Sequence, residues 1–133
     1  MDGPVAGNQR VNRYKRQIVV AWWLALIATT TASLMPNMGP PTTPLLGLGM
    51  DKIIHLATYF VLAAVPALFF RSGGPIIRSV LLVAAMSIGI EFAQDLVPGR
   101  LFSMGDVIAN MLGVLPGLVI GLYSRRYRLE YFC

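Results

Sequence analysis

Four predominantly apolar stretches, residues 18–34, 53–70, 76–96 and 107–123, occupy most of this 133-residue chain. A helix rising 1.5 Å per residue needs about 20 apolar residues to cross a hydrocarbon core about 30 Å thick. The expected fold is therefore all-α: an integral membrane bundle of four transmembrane helices, with no room for a separate soluble domain. Composition agrees, since 56% of residues are hydrophobic and only 13% charged. That is about half the charged share of a soluble domain, and mean hydropathy is +0.65.

The net charge of +5 does not point to nucleic acid, because the basic residues fall in short tails and turns between the apolar stretches. Arg10, Arg13, Lys15 and Arg16 precede the first; Arg71 and Arg78 flank the second turn; Arg125, Arg126 and Arg128 follow the last. With four spans, all nine lie on one side and only Lys52 and Arg100 on the other. The excess of Lys and Arg in cytoplasmic segments then puts both termini in the cytoplasm. This divides the chain into a flexible basic tail (1–17), a four-helix membrane domain (18–124) and a short basic tail (125–133). Arg13, Lys15 and Arg16 can meet anionic head groups at about 1 kcal/mol each, beside the plainer reading as a topology signal.

The first stretch also has the outline of a signal peptide, with a basic segment before it and the small residues Thr31, Ala32 and Ser33 near its end. Its 17 residues exceed the usual apolar core of about 7–15, and Trp22 and Trp23 suit an interfacial anchor, so a retained helix is expected. Residues 36–50 hold four prolines and three glycines and no charge. They read as an outer loop lying on the membrane, either a simple connector or a lid. Helix two is expected from Asp51 or Lys52 to Phe70, and helix three from the Gly73-Gly74-Pro75 turn to about Val97. Helix four is expected from Asp106 onward. Cys133, the single cysteine, permits no intrachain disulfide and reads as incidental.

The polar residues are not scattered. Asp51, Lys52 and His55, then Glu91, Gln94 and Asp95, then Arg100, then Asp106 and Asn110 all fall at one end of the spans, which the charge count places outside. Such residues are costly beside a bilayer and usually mark a working site. Asp51, His55 and Tyr59 are four residues apart and descend one helix face, with His55 about 6 Å below Asp51. Glu91 lies a turn below Asp95 and Asn110 a turn below Asp106, giving two polar layers. On helix four, Gly113, Gly117 and Gly121 form one stripe on the same side as Asp106 and Asn110. Small residues at this spacing permit close helix approach, so that face is expected to turn toward neighbouring helices. Pro116 is a candidate kink.

Lys52 and Arg100 suit an anion clamp. His55 can give or take a proton near neutrality, and a buried Glu91 is costly to ionise without Lys52, Arg100 or His55 as partner. These are the parts needed to hydrolyse or transfer a phosphate-bearing group. The same residues also fit ligand binding without chemistry, or an ion-pair network of Asp51, Lys52, Arg100 and Asp106 that merely ties helix ends together. One His with scattered carboxylates is a weak metal signature; Asp51, His55 and Glu91 would be its candidates, and neither metal nor cofactor is expected. No Ser-His-Asp set, P-loop, HExxH or CxxC is present.

Asp51-Lys52-Ile53-Ile54-His55 with Tyr59, then Glu91-Phe92-Ala93-Gln94, Pro98-Gly99-Arg100, and Asp106 with Asn110 and Gly113, in this order over about residues 18–122, resemble the VanZ-like membrane protein family. The resemblance implies a small helical bundle of the bacterial inner membrane, in a family associated with resistance to the glycopeptide teicoplanin. It carries over Asp51, Lys52, His55, Glu91, Gln94, Arg100, Asp106 and Asn110 as a polar signature and leaves Asp95 outside it. The expected function is recognition, and in an enzymatic reading hydrolysis or modification, of an anionic lipid or lipid-linked cell-wall precursor. His55 and Glu91 would exchange protons, while Asp51, Lys52, Gln94, Arg100, Asp106 and Asn110 bind and orient. The alternative is a non-catalytic membrane subunit whose charged network fixes helix packing or partner binding.

Overall fold

The computed structural model describes residues 4–36, 44–45, 48–70 and 72–132, with side chains described for 13–36, 49–70 and 72–127. Four helices follow in order: α1 Pro4–Leu34, α2 Met50–Phe69, α3 Gly73–Gln94 and α4 Met104–Phe132. A two-residue antiparallel ladder, β1 Pro44–Leu45 with β2 Leu48–Gly49, leads into α2. The lid reading of residues 36–50 falls largely outside the described residues, as do Arg71 and Cys133. Among the described residues, Arg13–Leu34, Met50–Phe69, Gly73–Gln94 and Met104–Tyr127 are long and apolar enough to cross a membrane. The protein is a multi-pass membrane helix bundle.

Helix boundaries depart from the apolar stretches for identifiable reasons. α1 begins at Pro4, well before Ile18, so the basic segment expected to be a flexible tail is helical from that point. α3 begins at Gly73, with Pro75 third in the helix. There its missing N–H is one of the first-turn donors that have no intrahelical acceptor in any case. At the other end, Pro98 disfavours helical backbone at Val97, and α3 stops at Gln94. The chain unwinds through tighter bonds, Leu96 N–H to Ala93 O at 3.1 Å and Val97 N–H to Gln94 O at 2.9 Å. Gly99 then turns at φ 80°, a conformation glycine adopts without steric cost.

α2 and α4 form the most extensive helix pair. A Cβ on Gly113 would overlap the Leu56 carbonyl, and one on Gly117 the Phe60 carbonyl. One on Gly121 would lie 2.7 Å from Ala67 Cβ and 2.8 Å from Ala64 O. The glycine stripe therefore sets backbone against backbone within one chain, as the small-residue spacing predicts. α4 runs through Pro116 without ending there.

α1 is attached more lightly. Trp22, 4% exposed, donates its indole N–H to Leu62 O at 2.8 Å and meets Phe70 edge-on with ring centroids 6.1 Å apart. With Leu26, Tyr59, Leu62, Ala63, Val83 and Val114 it forms the core. Large apolar side chains such as Leu24, Ile27, Val61, Leu81 and Val119 point outward, as a surface solvated by lipid requires. Thr30 and Thr31 return their hydroxyls to Leu26 O and Ile27 O at 2.9 and 2.8 Å, which removes two polar groups from an apolar surface.

Candidate functional site

The C-terminal ends of α1 and α3 and the N-terminal ends of α2 and α4 meet at one end of the bundle, and the polar residues gather there. His55, Glu91, Gln94 and Asn110 are buried, while Asp51, Lys52, Arg100 and Asp106 lie partly exposed around them. Asp95 is exposed beyond the end of α3.

At the centre, His55 Nδ1 lies 3.0 Å from Asn110 Oδ1 and 3.8 Å from Glu91 Oε1. An amide oxygen only accepts, so in this pairing it is the His55 Nδ1–H that donates. Tyr59 stacks below His55, with ring centroids 6.5 Å apart. Glu91 and Asn110 are each 0% exposed, yet both carboxylate oxygens of Glu91 and the Asn110 Nδ2 make no hydrogen bond. A carboxylate buried in that condition is expensive as a structural element.

At the rim, Lys52 Nζ sits 3.0 Å from Asp51 Oδ2 and 3.4 Å from Asp106 Oδ1. Gly105 makes room for it, since a Cβ there would lie 2.8 Å from Lys52 Cε. Arg100 does not join this network as the charge pattern suggested. Its Nη2 reaches Ala32 O at 3.4 Å, and Gln94 Nε2 donates to Ser33 O at 3.0 Å. Both acceptors lie in the last turn of α1, where carbonyls have no intrahelical donor, and a cation there also complements the helix dipole. Two residues expected to bind substrate thus cap a helix as well.

Beside this centre a groove of about 400 Å³ runs between α1 and α2. Ala28, Ala32 and Ile54 line its apolar flank, Thr58 and Tyr59 its lower part, and His55 and Arg100 its polar end.

A family model described as VanZ/LLP1 matches residues 5–125, which takes in the first three spans, the fourth as far as Arg125, and every residue of the polar cluster. The chain belongs to the VanZ/LLP1 family. No curated protein and no solved structure gives a significant match.

In this VanZ/LLP1 chain the sequence pattern left some residues unmarked. Ser103 caps α4, accepting the Asp106 N–H on its Oγ at 3.3 Å and on its carbonyl at 3.0 Å. That moves the helix start to Met104, ahead of the expected Asp106. A Ser three residues before an acidic residue is a capping signal legible in sequence. The Ala32 and Ser33 carbonyls had no such signal. The cation-ligand arithmetic also differs: donor atoms of His55, Glu91 and Asp106 lie within 4.8 Å of one another. Asp106 rather than Asp51 completes that trio. A divalent ion there would compete with Lys52 for the Asp106 carboxylate.

Proposed function

We propose that this VanZ/LLP1-family protein recognises an anionic lipid or lipid-linked cell-wall precursor. The ligand enters sideways from the bilayer through the groove between α1 and α2. The observation that carries this reading is the amphipathic lining of that groove. Its apolar flank of Ala28, Ala32 and Ile54 leads to the fixed charge of Arg100 and the ring of His55, a sequence that matches an acyl or prenyl tail followed by an anionic head. Arg100 still has a buried Nε without a partner, so its planar fork retains capacity for phosphate or carboxylate. Lys52 supplies a second positive charge at the same end of the bundle.

In the enzymatic form of this reading, His55 takes a proton from a water that attacks the head-group phosphorus, the P–O bond to the leaving group breaks, and the imidazolium returns the proton to the departing oxygen. Glu91 stabilises the resulting imidazolium from 3.8 Å. Asn110 holds the ring, and Asp51 and Asp106 hold Lys52 in place. The protein is read as residing in the bacterial cytoplasmic membrane with both termini inside, on the nine-to-two division of basic residues. Resistance to teicoplanin, which the family resemblance implies, enters here as a phenotype to measure.

The helix-capping contacts of Gln94 and Arg100 favour a second reading, a non-catalytic subunit whose polar network fixes helix packing. Lipid extracts separate the two. Cells lacking the protein should accumulate one phosphorylated envelope lipid, restored by the parent gene and not by His55→Gln, with membrane abundance unchanged. An unchanged lipid profile together with no lipid co-purifying above an Arg100→Gln control would sink the proposal. Collapse of His55→Gln abundance would support the packing role. A reporter fused after Cys133 must be active in the cytoplasm; activity on the opposite face would overturn the orientation.

A further inference from the structure

Three ligand-type side chains from three helices converge at the centre of the polar end. They are His55 of α2, Glu91 of α3 and Asp106 of α4, with one donor atom of each within 4.8 Å of the others. Carboxylates gather in many proteins without a ligand, so convergence alone points to none. The condition of Glu91 is a separate observation: it is 0% exposed, and neither of its oxygens makes a hydrogen bond among the described residues. An anion buried without a partner is costly, and its neighbours do not relieve it. Lys52 is spent on Asp51 and Asp106. His55 Nδ1 stands 3.8 Å from Glu91 Oε1 while it bonds Asn110 Oδ1 at 3.0 Å.

We propose that His55, Glu91 and Asp106 bind a divalent first-row transition-metal ion of the zinc or manganese class. Two carboxylates cancel the charge of such an ion, which leaves the buried centre neutral overall. The donor set selects the class, because an imidazole nitrogen with carboxylate oxygens suits zinc, manganese or iron, whereas calcium takes an all-oxygen shell. Ligands about 2.0–2.2 Å from a shared ion lie at most about 4.4 Å apart. The trio therefore draws in by about half an ångström or more, a movement that side-chain rotation of Glu91 and Asp106 supplies. Asp106 then exchanges Lys52 for the ion, and Lys52 keeps Asp51 at 3.0 Å. Three protein ligands leave a coordination position open to water or to an oxygen of a bound molecule. With the ion in place His55 is a ligand and not a proton acceptor, so the ion and the His55-as-base step exclude one another. The proposal rests on the geometry of the trio and not on the lipid reading.

Metal titration supplies the test. Tag-free full-length protein in detergent is stripped with a chelator, then titrated with zinc by calorimetry and with cobalt(II) by its visible ligand-field bands. The parent should bind one ion per chain. Glu91→Gln and Asp106→Asn should each weaken Kd by at least about tenfold, since loss of an outer-shell partner alone costs about 10–100-fold. Asp95→Asn removes an exposed carboxylate outside the trio and should bind as the parent does. Lys52→Met should bind several-fold more tightly, because it removes the cation competing for Asp106 and no ligand; damage to the fold does not produce such a gain. Absence of saturable binding by the parent overturns the proposal, as does parent-like binding by Glu91→Gln or loss of binding in Asp95→Asn. Should Glu91→Gln fail to reach the membrane, Asp106→Asn carries the same comparison. The two readings at this end of the bundle fail separately. Metal binding without a lipid phenotype in deleted cells sinks the lipid reading alone, and a lipid phenotype without metal binding sinks the ion alone.

Discussion

His55 and Asn110 face each other across the α2–α4 interface with Nδ1 and Oδ1 3.0 Å apart. They are 55 positions apart in the chain, and the bond holds the imidazole in one orientation against α4. Asn110→Ala leaves a buried Nδ1–H without its acceptor, at a cost of about 1–3 kcal/mol. The detergent-solubilised variant should melt several degrees below the parent. An unchanged melting temperature would mean that His55 draws its stability from another partner.

Glu91 behaves oppositely if its place is functional. Both of its oxygens are buried without a hydrogen bond, so Glu91→Gln removes a group that is costly to bury as an anion. The variant should be at least as stable as the parent and as abundant in membranes, while any turnover of the accumulating lipid is lost. Destabilisation beyond about 1 kcal/mol would reassign Glu91 to packing.

Gly117 and Gly89 form a matched pair. A Cβ at Gly117 would overlap the Phe60 carbonyl, whereas one at Gly89 meets nothing within 4 Å. Gly117→Ala should cost about 1–3 kcal/mol through overpacking of rigid backbone and lower membrane abundance. Gly89→Ala should be neutral or stabilising by up to about 1 kcal/mol, from helix propensity. Equal behaviour of the two would refute the backbone-to-backbone contact.

Gln94 and Arg100 both cap α1, but with unequal grip. The Gln94 bond to Ser33 O is 3.0 Å and partly buried, while that of Arg100 to Ala32 O is 3.4 Å and exposed. Gln94→Ala should therefore lower thermal stability by about 1 kcal/mol. Arg100→Gln should leave stability within about 0.5 kcal/mol and instead reduce the lipid that co-purifies. The reverse assignment of effects would make Arg100 the structural residue.

Much of this was legible in the chain itself. Apolar length located four spans, and the spacing of Gly113, Gly117 and Gly121 located the tightest interface. Four-residue spacing sorted His55, Glu91 and Asn110 into a layer one turn below Asp51, Asp95 and Asp106. What periodicity does not contain is azimuth between helices. It gives the depth of each side chain and its face on its own helix, yet not which neighbour that face meets. Hence Asp106 rather than Asp51 completes the trio with His55 and Glu91, and Arg100 turns to the α1 carbonyls instead of the Asp51–Lys52–Asp106 network. Backbone carbonyls at Ala32 and Ser33 were invisible for a further reason: any residue supplies one. The helical start of α1 at Pro4 is not legible in a polar, glycine-containing segment of low helix propensity.

The glycine contact between α2 and α4 has a mechanical consequence. Backbones that touch at three successive turns cannot slide past one another by a fraction of a turn, so His55 and Asn110 ride on a single rigid strut. The groove at their side has one wall on that strut and the other on α1, held by an indole hydrogen bond and two side-chain caps. Admitting a bulky lipid would therefore be a swing of α1 about its Trp22 attachment, with the proton-handling pair left stationary.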